Sequence, residues 1–158
     1  MKHLFAAAIT LAALSLTPTW AVETAHDHHK SEQTTTLHLN AGKKWDTDAP
    51  LRKSMAEIRQ LMAKDLQAIH NNKLPAKDYK KLAARIEAAV ATIIKQCKLP
   101  QAADEQLHLI VAELLAAAEQ MAGKAHTGEA RDGAIKVLGT LSNYGRYFND
   151  TSFKALEH

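Results

Sequence analysis

A single cysteine, Cys97, stands among 158 residues, so the chain has no partner for an internal disulfide. That thiol is left three roles: a packing residue, a metal ligand, or a bridge to another chain. A glycine-rich phosphate loop, a Cys-x-x-Cys pair and a Ser/His/Asp pattern are all missing. Nothing in the sequence therefore supplies an enzyme's machinery. The basic residues are scattered, with no block of five or more, and the formal net charge is only +3. This argues against a nucleic-acid or membrane surface as the main partner. Only the opening residues form a long apolar run, and that run is too short to span a bilayer.

The opening has a different meaning. Met-Lys-His leads into an apolar stretch from Leu4 to Leu16, which ends at Thr19-Trp20-Ala21. A short basic start, a brief apolar core and a small residue before the cut describe a signal peptide, residues 1–21, cleaved after Ala21. No lipobox-type cysteine follows, so the reading is a protein released into a bacterial periplasm, with no membrane attachment after cleavage. The remaining chain suits one domain with one core.

Residues 22–44 are polar and carry no apolar period. They read as a flexible tail. His26, His28, His29 and His38 lie in it, and the His-Asp-His-His cluster could hold a soft or borderline divalent metal weakly. From Trp45 to about residue 150 the pattern changes. Prolines stand evenly at positions 50, 75 and 100, and Lys73-Leu74-Pro75 is echoed by Lys98-Leu99-Pro100. Proline suits the first turn of a helix, where its missing N–H costs nothing. Thr127 offers an N-cap for a fourth start, with Glu129 in its first turn.

Apolar residues then recur in steps of three and four. The first stripe is Leu51, Met55, Ile58, Met62, Leu66 and Ile69, and the second is Tyr79, Leu82, Ile86, Val90, Ile93 and Cys97. The third is Leu107, Val111, Leu114, Ala118 and Met121, and the fourth is Ala134, Val137, Leu141, Tyr144 and Phe148. No segment after the leader reads as a strand. Short linkers between such segments predict antiparallel neighbours. The fold class is all-α: an antiparallel up-down-up-down four-helix bundle over 45–150, with a short C-terminal tail at 151–158.

This topology gathers Trp45, Met55, Cys97, His108, Tyr144, Tyr147 and Phe148 at one end. Cys97 and His108 should differ in height by roughly 9 Å, from the helical rise. Their side chains tilt toward each other, because each leans to its own helix N-terminus. Met55 lies at an intermediate height. Cysteine, histidine and methionine make a soft set suited to Cu(I), or to zinc with less methionine character. The bland alternative is that Cys97 continues the core stripe as a small hydrophobe. Met55, Met62 and Met121 also fit core packing. Glu105 and His108 share the Glu-x-x-His spacing of di-iron bundles, but no second such pair lies within 45–150; the other one, Glu23 and His26, falls in the polar tail.

An exported, alanine-rich four-helix chain of this length resembles the cytochrome b562 and cytochrome c′ class of periplasmic bundles. The likeness is architectural and covers roughly residues 45–150. It implies a four-helix bundle with a haem held near one end. The c′-type haem motif would place Cys-x-x-Cys-His in the last helix, which here contains neither residue. In the b562 pattern Met55 could stand for the axial methionine, but the facing positions, Tyr144 to Phe148, offer no histidine.

Together these features point to a periplasmic metal-binding bundle, copper before zinc, that stores, buffers or detoxifies the ion as monomer or dimer. Cys97 and His108 would be the main ligands, Met55 a weaker one, and His26, His28 and His29 auxiliary. The alternative from another class is a sensor or interaction module. It would bind a periplasmic protein or small apolar ligand through Trp45, Tyr144, Tyr147 and Phe148. Haem carriage is the third reading. Expressed with its leader in a bacterium, the protein should be recovered from the periplasm beginning at Val22; an intact mass showing the leader still attached would contradict this.

Overall fold

The computed structural model describes residues 36–126 and 128–157. Within them lie four helices and one very short strand pair. The helices are α1 (Ala49–His70), α2 (Ala76–Gln96), α3 (Gln101–Met121) and α4 (Ala130–Tyr147). The leader and the His26, His28 and His29 cluster lie outside the described residues. None of the described helices is long and apolar enough to cross a membrane.

Each helix begins and ends for a local reason. Asp48 caps α1: its Oδ1 accepts the Leu51 N–H at 2.9 Å, and Pro50 fills the first turn behind it. Pro75 and Pro100 stand one residue earlier than the spacing suggests, at the N-cap rather than inside the helix. The N-cap of α4 is Glu129, not Thr127, which lies outside the described residues. Glu129 and Asp132 form a reciprocal capping box, so two N–H groups that a helix start leaves unpaired are both satisfied.

Two helix ends are left-handed caps, and the other two, those of α2 and α4, run into extended chain. After α1, Asn72 takes φ +53° and the Asn72 and Lys73 N–H groups donate back to the Ile69 and Ala68 carbonyls. After α3, Gly123 takes φ +72°, and Gly123 and Lys124 donate back to Gln120 and Glu119 in the same way. Both are left-handed caps that satisfy orphan carbonyls, and asparagine and glycine are the residues that tolerate them. By contrast, α2 runs straight into extended chain at Cys97 (φ −68°, ψ 141°). Pro100 follows closely, and a residue preceding proline is held in extended backbone.

The four helices pack around one core. Each packs against its neighbour in sequence, and α1 and α2 also touch α4. All the stripe positions are buried except Leu66 and Cys97, which are half-buried. The buried face is wider than those stripes, since Leu61, Ile110 and Leu138 are sealed in as well. Four polar residues share the interior: Ser54, Gln106, Gln120 and Thr140.

Two departures from the sequence reading concern the flanks. β1 (Trp45–Asp46) pairs in parallel with β2 (Phe148–Asn149), so strand does occur, as two residues on each side. The described part of the expected tail, 36–44, is tied down rather than loose. Asn40 and Lys43 exchange backbone hydrogen bonds of 2.8 and 2.9 Å across a turn, and Lys44 Nζ donates to the Gly145 carbonyl. Residues 151–157 also return to the body. The Phe153 ring meets Tyr144 edge-on at 4.9 Å, and the Arg59 guanidinium donates to the Lys154 carbonyl.

A close helix contact lies at Gly133, where α4 meets α3. A Cβ there would lie 2.7 Å from the Ala117 carbonyl oxygen and 2.9 Å from Met121 Cγ. Gly139, two turns on, would meet nothing within 4 Å. Gly133→Ala should therefore lower stability by about 1–3 kcal/mol through overpacking. Gly139→Ala should raise it by about 0.5–1 kcal/mol, because alanine is the better helix former. Urea unfolding of the two variants should show opposite signs.

Candidate functional site

The extended end of α2 places Cys97 beside the start of α1. Asp48 Oδ1 is engaged by Leu51, while Oδ2 accepts the Lys98 N–H at 2.7 Å. One carboxylate thus ties the first turn of α1 to the α2–α3 connection. The Cys97 thiol also hydrogen-bonds Asp48. Burial pushes the thiol up to about 12, and the negative charge of Asp48, that hydrogen bond and Asp104 push the same way. At neutral pH Cys97 is a thiol and not a thiolate.

His108 lies in the second turn of α3, on its exposed side, with 73% of its side chain open to solvent. Its Nδ1 sits 2.8 Å from the Asp104 carbonyl and 3.4 Å from Asp104 Oδ2. A carbonyl oxygen can only accept, so in this hydrogen bond Nδ1 carries the proton. The neutral ring then keeps its lone pair on Nε2. A backbone carbonyl that fixes the ring in this way is the usual support behind a metal-binding imidazole.

Cys97 and His108 line one cleft of about 250 Å³, together with Asp104, Ile93, Ile94, Leu107 and Val111. Ile94 stands at its rim, 66% exposed. The sequence pairing of Cys97 with His108 therefore corresponds to a shared cavity. Met55 does not join them: it is fully buried and does not line the cleft. Among the described residues, no group of three or more His, Cys, Asp or Glu side chains is arranged to hold a metal ion.

The aromatic residues expected to offer a ligand surface are mostly interior. Trp45 is 7% exposed, and Tyr144 and Phe148 are fully buried. Tyr144 stacks on Phe148 at 5.4 Å and donates its hydroxyl to Asp150 Oδ2 at 3.0 Å. Burial first, then the Asp150 charge and this hydrogen bond, raise the Tyr144 hydroxyl well above the usual phenol range. These rings close the end of the core and leave only Tyr147 half-exposed.

Two site residues escaped the sequence reading. Asp48 carried a usable signal, an aspartate just ahead of a helical proline. Its second bond, to a residue fifty positions away, carried none. Asp104 was hidden in an ordinary polar first turn. Comparison with family models, curated proteins and solved structures gives no match to the chain.

The sign of the thiol's pH dependence follows from its raised value. Its proton is held more tightly when folded, so the favourable contribution is complete below the ordinary thiol value of 9.0 and fades as pH rises toward 12. Asp48→Asn removes the charge and keeps a capping side chain. Its Cys97 should react with iodoacetamide at a lower pH than the wild-type thiol, read from the rate profile. Coincident profiles would show that Asp48 does not control the thiol.

Proposed function

We propose that the protein is an exported, up-down-up-down four-helix bundle that binds copper through Cys97 and His108, for storage, buffering or tolerance. The observation that carries this reading is the shared cleft, with the His108 ring turned so that Nε2 holds the lone pair. Thiolate and imidazole are a soft and a borderline donor, and the pair suits Cu(I), which accepts few ligands. Zinc would ask for four. Of the remaining lining, Ile93, Ile94, Leu107 and Val111 are aliphatic, and Asp104 adds one hard carboxylate donor, which favours Cu(I) less than the thiolate and imidazole do.

Binding replaces the thiol proton, since the ligand is the thiolate. Asp48 and Asp104 are then the nearby carboxylates that receive the positive charge electrostatically. Met55 is left to packing in this reading. His26, His28 and His29 contribute borderline donors of their own. Haem has no place in it, because α4 lacks histidine and cysteine and the aromatic residues there fill the core.

The up-down order is supported at both ends. Arg131, at the start of α4, donates to the Ile69 and His70 carbonyls at the end of α1. At the other end, Asp48 before α1 meets Lys98, and Trp45 pairs with Phe148 after α4. Export follows from the leader-like opening.

The test is a Cu(I) titration of the reduced full chain against a chromophoric chelator. One tight equivalent is expected, weakened at least about tenfold in Cys97→Ala/His108→Ala and unchanged in Met55→Leu. Equal affinity in the double variant and the wild type would remove the core site.

A further inference from the structure

The segment ahead of β1 is fastened through one histidine. The His38 N–H donates to Gln106 Oε1 at 2.9 Å, and the His38 carbonyl accepts the Trp45 indole N–H at 2.6 Å. The His38 ring meets the Trp45 ring edge-on at 5.8 Å. Its Nε2 lies 3.1 Å from Gln106 Nε2, and its Nδ1 lies 3.3 Å from the Leu39 carbonyl. Gln106 is 1% exposed, so its amide is fixed in the interior while the histidine sits on the surface side.

Hydrogen-bond direction decides the chemistry. Gln106 Oε1 is committed to the His38 N–H, so its NH₂ must face the ring. An amide NH₂ can only donate, and His38 Nε2 must therefore be the unprotonated nitrogen. Nδ1 then carries the hydrogen, directed at the Leu39 carbonyl. Every contact is satisfied with a neutral ring. A proton added at Nε2 would set one donor against another. Turning the Gln106 amide over only moves the conflict to the His38 N–H, and an unmet buried donor costs about as much as a lost hydrogen bond.

We infer that His38 and Gln106 form an acid-sensitive clasp, closed when the imidazole is neutral and loosened when it is protonated, that controls how firmly residues 36–44 lie on α3. This is independent of the copper reading and uses none of its ligands. Among the described residues, the groups that meet the ring by hydrogen bond or ring contact are Leu39 of the segment, Trp45 of β1 and Gln106 of α3, and none of them is titratable or charged in this pH range. Among the described residues, the partners of the ring thus include no carboxylate to compensate the protonated form. Histidine is the side chain whose charge changes in mildly acidic conditions.

The experiment is hydrogen exchange by NMR on the full chain. It follows the His38 amide and the Trp45 indole N–H from about pH 8 to about pH 5, with rates corrected for intrinsic exchange. Protection of both should fall about fivefold on acidification, the loss of about one hydrogen bond, while core amides such as that of Ile58 keep theirs. His38→Gln supplies a carbonyl acceptor that does not titrate, and its protection should be flat. Gln106→Glu gives the imidazolium an acceptor and should reverse the trend, so that protection rises toward acid. A flat wild-type profile, or the same fall in His38→Gln, overturns the clasp.

Discussion

The carboxylate of Asp48 is divided between two jobs that lie far apart in sequence. One oxygen begins α1 by holding the Leu51 N–H, and the other holds the Lys98 N–H in the connection from α2 to α3. The Cys97 thiol completes the set. Burial of apolar faces gathers the four helices, but that force has no direction. These hydrogen bonds fix how the start of α1 and the end of α2 meet. The cleft depends on that meeting, because Cys97 can line it only where α2 stops being helical.

The same cleft shows how chemistry is shared between rigid and open surroundings. Cys97 is partly withdrawn from solvent and kept protonated by its acidic neighbours. His108 stands in water with its ring oriented by the backbone of its own helix. In the proposed copper reading, one donor would have to give up a proton before it binds, and the other already presents its lone pair. The aliphatic walls, Ile93, Ile94, Leu107 and Val111, contribute shape, and the Asp104 carboxylate adds negative charge at the same cleft.

How far this was legible in the sequence varies with the range of the interaction. The helices were legible, because their stripes recur at three and four residues and prolines punctuate their starts. Leu61, Ile110 and Leu138 were missed because a helix among several neighbours buries a broader face than a single seam shows. Glu129 displaced Thr127 as the cap of α4 because Asp132 lies where the reciprocal bond needs it. The fastening of residues 36–44 was invisible: its apolar content is low, and it is held by Gln106 and by Gly145, both remote in sequence. Cys97 and His108 were legible as a pair through helix geometry alone. The position of Met55 away from them was not, since height along a helix does not specify which face of the core a side chain enters.

The parallel pairing of Trp45–Asp46 with Phe148–Asn149 carries a kinetic consequence. Its two halves flank all four helices, so the first of them must wait for the last to be delivered before either is satisfied. Because a chain is synthesised from its N-terminus, Trp45 is present long before Phe148 is made. During that interval the backbone groups of Trp45 and Asp46 have no strand partner, and water must satisfy them until the closing residues arrive.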